Sequence, residues 1–400
     1  MHCPPSSLRG LVVFALIGIL GLGVGCSSSQ PPGSATEPSA PTPSSGPALF
    51  LLYTPPNGGL TLHDARADEA RTLIAGATAK PARAVSPSGR HLAFSYATAD
   101  SSYLALLDLT TQQTQRVHAM AGTAVTYSLA WHPDQDRLAV GHYRPTDNGE
   151  RGPGSIQIAA PNGTTRDVGC NSVREVLHWM SDGSLAARTD DDLYVVNTDD
   201  CATQASLDVR RMHRIRYAPT GQRMAYIYRE LKYDRDRGEY VPDSSLVLSG
   251  PRGDNAETLF GDQRRARHHR WAPEAAELAL DVRVEDSGHR QVVIYDGSRP
   301  TFLVPPNQTT ADQERPRWSP SGERIAFTLR TDASSQAAVR VQGQTRRLGP
   351  VDGAVWGWLD DRSVVVPGPD SVRVQSLNGT TRYAHPAPAT LLHVWRRPAS

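Results

Sequence analysis

Residues Trp318–Phe327 read WSPSGERIAF, and variants of this ten-residue stretch recur along the 400-residue chain. Each variant has an aromatic or branched residue, a turn rich in Pro and Gly, and then an apolar run. Proline presets φ and glycine supplies positive φ where a chain reverses, so each variant predicts two strands joined by a tight turn. The other clear copies are VSPSGRHLAF (85–94), WHPDQDRLAV (131–140), YAPTGQRMAY (217–226) and WAPEAAELAL (271–280).

The segments after each copy predict two more strands. SIQIAA (155–160) and QVVIYD (291–296) are typical third strands, and TTRDV (164–168) and RTFLV (300–304) are typical fourth strands. We call the residue that opens each motif its anchor. Successive anchors lie 46, 48, 38, 54, 47 and 40 residues apart. They are Val85, Trp131, Trp179, Tyr217, Trp271, Trp318 and Trp358.

Four strands in each unit of about 40–45 residues are typical of a β-propeller. The segment 48–75 supplies second, third and fourth strands but no first strand, whereas TLLHVWRRP (390–398) has the pattern of a first strand. We therefore predict one all-β propeller over 48–400, with eight four-stranded antiparallel blades and with the C-terminal strand completing the N-terminal blade. A seven-bladed ring is the alternative, because the units at 178–188 and 358–366 depart from the motif. A two-layer sandwich does not explain the repetition.

The W-S-P-x-G-x-x-I-A-F signature, most intact at 318–327, resembles the repeat of TolB-type (WD40-like, PD40) propellers, and the resemblance covers about 350 residues. Members of that class include periplasmic proteins that bind partners and propeller domains of peptidases. The peptidases also need an α/β-hydrolase domain, and this sequence contains no G-x-S-x-G nucleophile elbow. The resemblance therefore implies a propeller fold and leaves the ligand open.

The N-terminal segment predicts export. LVVFALIGILGLGV (11–24) is continuously apolar and has the length of a signal-peptide core. GVGC (23–26) resembles the lipobox of bacterial lipoproteins, which implies cleavage before Cys26 and acylation of Cys26. An ordinary secretory signal is the alternative. The Ser/Pro-rich stretch 27–47 predicts a disordered linker.

By this resemblance we expect a lipoprotein anchored in a membrane. It would face the periplasm from the outer membrane of a Gram-negative cell, or otherwise lie on the outer face of the cytoplasmic membrane. The chain has 42 Lys and Arg against 41 Asp and Glu, with a formal net charge of +1. This balance gives no electrostatic case for a nucleic-acid partner.

Cys170 and Cys201 are the two cysteines left beyond residue 26. Disulfides persist in exported proteins, which favours pairing. The predicted topology argues against it, since it places Cys170 at a blade-to-blade connection and Cys201 at a third-to-fourth turn on the opposite face. The sequence leaves the disulfide open.

Long second-to-third connections at 142–154, 228–243 and 283–290 share one face of the predicted propeller. Long loops on a rigid ring are where recognition is usually found. We therefore predict a partner-binding surface there. Its candidate residues are Tyr143, Arg144, Glu150, Arg151, Tyr233, Asp234, Arg235, Asp236, Arg237 and Tyr240.

Metal ligation has weak support. The run Asp234–Gly238 faintly resembles a calcium loop but lacks the remaining oxygen ligands. His268 and His269 are adjacent, so on a strand they point to opposite faces. These two, together with His178 and His213, are favoured as packed or surface histidines, although one of them could line the channel. We expect no metal and no cofactor.

The sequence thus favours a monomeric scaffold that binds a protein partner in the cell envelope. One alternative is a hydrolase or lyase with its site at the channel mouth, and another is a sensory lipoprotein that modulates a membrane signalling protein. Converging carboxylates or histidines at the mouth would favour an enzyme. A patch with exposed aromatic residues would favour a scaffold.

Overall fold

The strands form eight separate four-stranded antiparallel sheets, which are the blades of a β-propeller. This confirms the eight-bladed prediction, and the seven-bladed alternative is wrong. The described residues include no helix long and apolar enough to cross a membrane. The computed structural model describes residues 48–146, 151–170, 172–235, 238–260, 266–274, 276–284, 288–304, 310–386, 388 and 390–396.

The blades follow the chain in order. Blade 1 contains β1 (Leu49–Thr54), β2 (Leu60–Asp64), β3 (Glu69–Ile74) and the last strand, β32 (Thr390–Arg396). Blade 2 contains β4 (Thr78–Val85), β5 (His91–Ala97), β6 (Ser101–Asp108) and β7 (Thr114–Ala121). Blade 3 contains β8 (Thr126–Trp131), β9 (Leu138–Pro145), β10 (Arg151–Ala159) and β11 (Thr165–Asp167). Blade 4 contains β12 (Glu175–Trp179), β13 (Leu185–Arg188), β14 (Asp192–Val196) and β15 (Thr203–Asp208).

The second half repeats the arrangement. Blade 5 contains β16 (Met212–Tyr217), β17 (Met224–Asp234), β18 (Glu239–Ser249) and β19 (Glu257–Phe260). Blade 6 contains β20 (Ala266–Trp271), β21 (Leu278–Arg283), β22 (Arg290–Tyr295) and β23 (Pro300–Phe302). Blade 7 contains β24 (Asp312–Trp318), β25 (Ile325–Arg330), β26 (Ser335–Val341) and β27 (Gln344–Pro350). Blade 8 contains β28 (Gly357–Asp360), β29 (Ser363–Pro367), β30 (Ser371–Ser376) and β31 (Thr381–Pro386).

The ring closes through the C-terminal strand, as predicted. β32 pairs antiparallel with β1, with Trp395 opposite Phe50, and the two rings stack with centroids 5.4 Å apart. The first strands of neighbouring blades contact one another in a closed cycle that includes β28 against β32 and β32 against β4. Pairing β32 with β1 leaves no open sheet edge at the junction.

The apolar core lies between adjacent blades. β5 is buried at every position, because its sheet is covered on both faces, whereas the outer strand β3 is mostly exposed. One cluster joins Leu52 and Leu62 of blade 1 to Leu92 and Phe94 of blade 2. Each blade is therefore stabilised by its neighbours, as burial of apolar area requires.

The anchor tryptophans also bridge the blades by hydrogen bonds. Each indole nitrogen donates to a backbone carbonyl of the preceding blade, at the residue just before that blade's own anchor. The five bonds are Trp131 to Ala84 (3.0 Å), Trp179 to Ala130 (2.9 Å), Trp271 to Arg216 (3.0 Å), Trp318 to Arg270 (3.0 Å) and Trp358 to Arg317 (2.9 Å). A buried carbonyl that lost such a donor would be left unsatisfied.

The disulfide is present: Cys170 and Cys201 are bonded, with Cα atoms 5.4 Å apart. The topological argument against it is wrong because the fourth strand of blade 3, β11, has only three residues. The chain therefore leaves that blade partway along its height. Cys170 is buried and packs in the apolar layer between blades 3 and 4, beside Val196 and Cys201.

Replacing Trp318 with Phe should lower the free energy of unfolding by about 1–2 kcal/mol, because the Arg270 carbonyl loses its donor. Trp356→Phe is the control, because Trp356 is half-buried and its indole is not one of the five that donate to the preceding blade. Urea unfolding of both variants measures the difference. Equal losses of unfolding free energy in the two variants would show that the smaller ring, and not the missing hydrogen bond, causes the loss.

Reducing the disulfide should lower the stability of the protein by about 3–4 kcal/mol, as expected for closing a loop of 31 residues. Urea unfolding of the oxidised and reduced protein measures the loss of stability. A thiol count on unfolded protein before and after reduction tests the bond itself. A double variant, Cys170→Ser with Cys201→Ser, should give the same count as wild type before reduction and two fewer after it. Two extra wild-type thiols before reduction would contradict the bond.

Two histidines pack together between blades 2 and 3. The rings of His118 and His142 have centroids 4.3 Å apart, and His142 hydrogen-bonds Ser155 at 3.2 Å. Burial, with a smaller contribution from His118, lowers the pKa of His142 to about 4. The unfolded chain keeps a histidine pKa near 6.5. Between pH 4 and 6.5 the unfolded state therefore binds more protons than the folded state.

The stabilising effect of neutral His142 should accordingly be complete above about pH 6.5 and fall as the pH drops toward 4. His142→Gln should flatten the dependence of the unfolding free energy on pH over that interval. Tyr127→Phe is the control, because it removes the hydroxyl that bonds His118 without removing a histidine. An unchanged slope in His142→Gln would contradict the assignment.

Candidate functional site

The connection predicted as a long loop in blade 5 is a regular β-hairpin. β17 and β18 each have 11 residues and pair without a break from Met224 with Ser249 to Asp234 with Glu239. β16 pairs with β17 only as far as Tyr228, and β19 pairs with β18 only as far as Leu246. The distal part, residues 229–244, therefore extends beyond the blade as a two-stranded ribbon, which we call the blade 5 hairpin.

One face of this hairpin carries large apolar side chains that are open to solvent. Leu231, Tyr233 and Tyr240 lie on that face, because strand side chains alternate and Tyr233 is paired directly with Tyr240. Their exposed fractions are 66, 55 and 68 %, and the two tyrosine rings meet edge to face at 5.3 Å. Among the described residues, the only other large apolar side chain so exposed is Val85.

The opposite face of the hairpin is polar and internally paired. The ammonium of Lys232 lies 2.8 Å from a carboxylate oxygen of Asp243 and 3.5 Å from one of Glu230. Asp243 is buried, and its other oxygen accepts a bond from the backbone N–H of Ser244 at 2.8 Å. These contacts hold the base of the hairpin in one conformation, with the apolar residues outward.

The blade 3 segment, by contrast, packs back onto its neighbours. The Arg144 guanidinium donates to the Ala121 carbonyl on β7, and Tyr143 is half-buried. At Gly154 an added Cβ would come within 2.1 Å of the Val173 carbonyl, so only glycine fits against the next blade. Arg144 itself remains exposed.

The remaining candidate residues are placed as follows. Arg235 is exposed near the tip of the hairpin. For Arg151 and Asp234 the structure describes the backbone position only. Outside the described residues lie Glu150, Asp236, Arg237 and the lipidation candidate Cys26, along with the predicted signal and linker at 1–26 and 27–47. In the third connection, 283–290, residues 285–287 are also outside them.

The adjacent histidines are packed separately. The His268 ring nitrogen Nδ1 lies 2.7 Å from Asp281, a fully buried carboxylate that also contacts Arg290 at 3.2 Å. His269 is 1 % exposed, and burial lowers its pKa to about 3. His178 stacks on Tyr217 at 5.3 Å. Within the described ranges, no three His, Cys, Asp or Glu side chains are grouped so as to hold a metal ion.

A cavity of about 560 Å³ lies among the first strands of blades 2 to 5. Glu175 opens β12 and Arg188 ends β13, at the end of blade 4 where the second-to-third connection begins. At blade 4 the cavity therefore reaches the end of the blade that carries the second-to-third connection. Its charged and aromatic lining consists of Arg83, Tyr127, Glu175, Arg188, Arg214 and Arg216.

More arginines lie beside this cavity. Arg216, Arg270 and Arg317 each stand immediately before an anchor, in three successive blades. Burial lowers the pKa of Arg270 to about 9, with further lowering by the like charges of Arg216 and Arg317. Burial likewise lowers the pKa of Arg317, and Arg216, Arg315 and Arg83 add to the effect. The sequence analysis missed this cluster, although an Arg before three consecutive anchors was a visible signal.

Within the described lining there is one carboxylate, Glu175, and no histidine. Arg188 lies 3.8 Å from it. An arrangement of this kind can hold negative charge, but it does not place a general acid opposite a general base.

Comparison with known proteins shows the fold of this chain and no more specific property. No protein-family model matches the sequence, and no curated protein matches it significantly. The β-propeller domain of the trilobed protease from Pyrococcus furiosus is similar over 78 % of this chain and 95 % of that chain, with 12 % identity and a TM-score of 0.51. A eukaryotic initiation factor is similar over 88 % of this chain and 98 % of that chain, with 13 % identity and a TM-score of 0.53.

TolB from Acinetobacter baumannii is also among the similar structures, over 87 % of this chain and 66 % of that chain, with 13 % identity and a TM-score of 0.38. Identities this low show a shared architecture only. The chain is a β-propeller with TolB and other propellers among its structural neighbours.

Proposed function

We propose that this protein is a binding scaffold of the cell envelope, held at a membrane by lipid on Cys26, which engages a protein partner through the apolar face of the blade 5 hairpin. The observation that carries the proposal is the exposure of Leu231, Tyr233 and Tyr240 on one face. The TolB-type repeat at 318–327 supports a role in the envelope.

Exposed apolar side chains that share a face are unfavourable in water unless something covers them. Tyrosine is enriched among residues that dominate binding energy, because it buries a large area and has few rotatable bonds. Tyr233 and Tyr240 already contact each other, with ring centroids 5.3 Å apart. They lose little conformational entropy when a partner covers them, so the hairpin is pre-organised for binding.

The apolar face is held in place by the blade strands and by the polar face of the hairpin. The hairpin is an unbroken continuation of two blade strands, and Lys232 is paired with Asp243 on its polar face. A recognition element on a rigid scaffold keeps its geometry more precisely than a free loop does. The hairpin can therefore present a fixed apolar surface without help from a partner.

The test is crosslinking in intact cells followed by mass spectrometry, on wild type and on a triple variant in which Leu231, Tyr233 and Tyr240 are each replaced by Ser. Val85→Ser is the matched control, because Val85 is the other exposed large apolar residue. We expect one protein to be captured by wild type and by Val85→Ser. Its affinity for the triple variant, measured with both proteins purified, should fall more than tenfold.

Circular dichroism would verify that the triple variant remains folded. Capture of the same partner by the triple variant at wild-type yield would assign binding to another surface. If wild type captured no specific partner, the proposed scaffold function would be wrong.

A further inference from the structure

We propose that the arginine-lined channel mouth is a binding site for a small polyanion, a soluble molecule that carries two or more phosphate or carboxylate groups. The inference is independent of the hairpin and its partner. It rests on the cavity and on the identity of the charged groups around it.

The cavity has the size of a small-molecule site. Its volume of about 560 Å³ falls within the range of about 300–1,000 Å³ that is usual for ligand pockets. Four first strands supply its wall, so the lining is fixed by the backbone of the ring and not by mobile loops. A ligand there would meet groups that are already in position.

The charge of the lining is strongly positive. Arg83, Arg188, Arg214 and Arg216 line the cavity, and Glu175 is the one acidic residue of the described lining. Arg270 and Arg317 lie close enough to Arg216 for their charges to interact. A guanidinium presents a planar fork of N–H donors that matches phosphate and carboxylate oxygens.

Most of these charges have no acidic partner. Within the described residues, the ion pairs include one between Arg188 and Glu175 at 3.8 Å but none that involves Arg83, Arg216, Arg270 or Arg317. Arg83 instead donates to the Leu391 carbonyl at 3.2 Å and lies over the Trp356 ring at 4.8 Å. Arg216 has an exposed side chain at the cavity, and its charge is attracted by that of Glu175.

Clustering like charges in a confined space is unfavourable for the empty protein. Burial is the larger cause of the lowered pKa of Arg270, and the neighbouring guanidiniums add to it. A bound anion would relieve both effects, since it supplies opposite charge and accepts hydrogen bonds. Perturbed charged groups in a cleft are typical of binding sites.

An acidic peptide segment is the other occupant that such charge could attract. The walls formed by blades 2 to 5 favour a compact ligand over a chain that must enter and leave. The test below separates these occupants.

The experiment is isothermal titration calorimetry of the purified full chain with inorganic pyrophosphate and with citrate, at constant ionic strength. Tighter binding of pyrophosphate would show that the site prefers phosphate groups, and tighter binding of citrate would show that it prefers carboxylate groups. Arg216→Gln should weaken binding about tenfold or more, because a charge-assisted contact is lost. Arg346→Gln is the matched control, since Arg346 is exposed on the outer strand β27.

Glu175→Gln should change the affinity for the probes in the opposite direction. It removes the one acidic residue of the described lining, so binding of either probe should become several-fold tighter. Pyrophosphate or citrate should also raise the melting temperature of wild type, because a ligand that binds only the folded state stabilises it. Without ligand, Arg216→Gln should melt no lower than wild type, since it relieves repulsion between like charges.

Failure of both probes to bind wild type, while a poly-glutamate peptide binds, would replace the small ligand with an acidic segment. No binding of any of these anions, or equal binding by wild type, Arg216→Gln and Glu175→Gln, would overturn the site. None of these outcomes bears on the hairpin, whose test measures a different surface.

Discussion

The hydrogen bond from an anchor indole to the carbonyl of the preceding blade is the contact on which the ring depends. It recurs from Trp131 to Ala84 through Trp358 to Arg317, always to the residue before the previous anchor. Each bond fixes one first strand against the next at the narrowest part of the molecule, where backbone groups are shielded from water. Three blades lack this bond. The blade 2 anchor is Val85, Tyr217 donates its hydroxyl to the Pro251 carbonyl of its own blade at 3.0 Å, and Trp395 stacks on Phe50 of its own blade.

The same constraint places the arginines. The carbonyls of Arg216, Arg270 and Arg317 accept the indole bonds, so the backbone at these residues is held at the inner strands. Their side chains are therefore brought together from three blades, although about 50 residues separate neighbours in the sequence. A contact that recurs in five blades thus fixes the backbone at three arginines whose side chains take no part in it.

The two candidate sites differ in kind. The blade 5 hairpin presents apolar area on a projecting ribbon, which suits a partner that covers it from outside. The channel mouth presents positive charge in a concave cavity, which suits a ligand that enters it. Because the ring is closed by β32, recognition at the ends of the ring depends on elements that project from it or on the cavity within it.

The sequence by itself determined the blade number, the strand order and the closure by residues 390–396, because these follow from local turn chemistry repeated at a regular spacing. It also located the connection at 228–243, with Tyr233 and Tyr240, as a place of interest. Only the tertiary structure decided that this connection is a hairpin with an apolar face, that a three-residue β11 brings Cys170 to Cys201, and that arginines of several blades meet at one cavity. Repeat spacing specifies each unit, whereas these contacts depend on where strands end and how neighbouring blades pack, which no local pattern encodes.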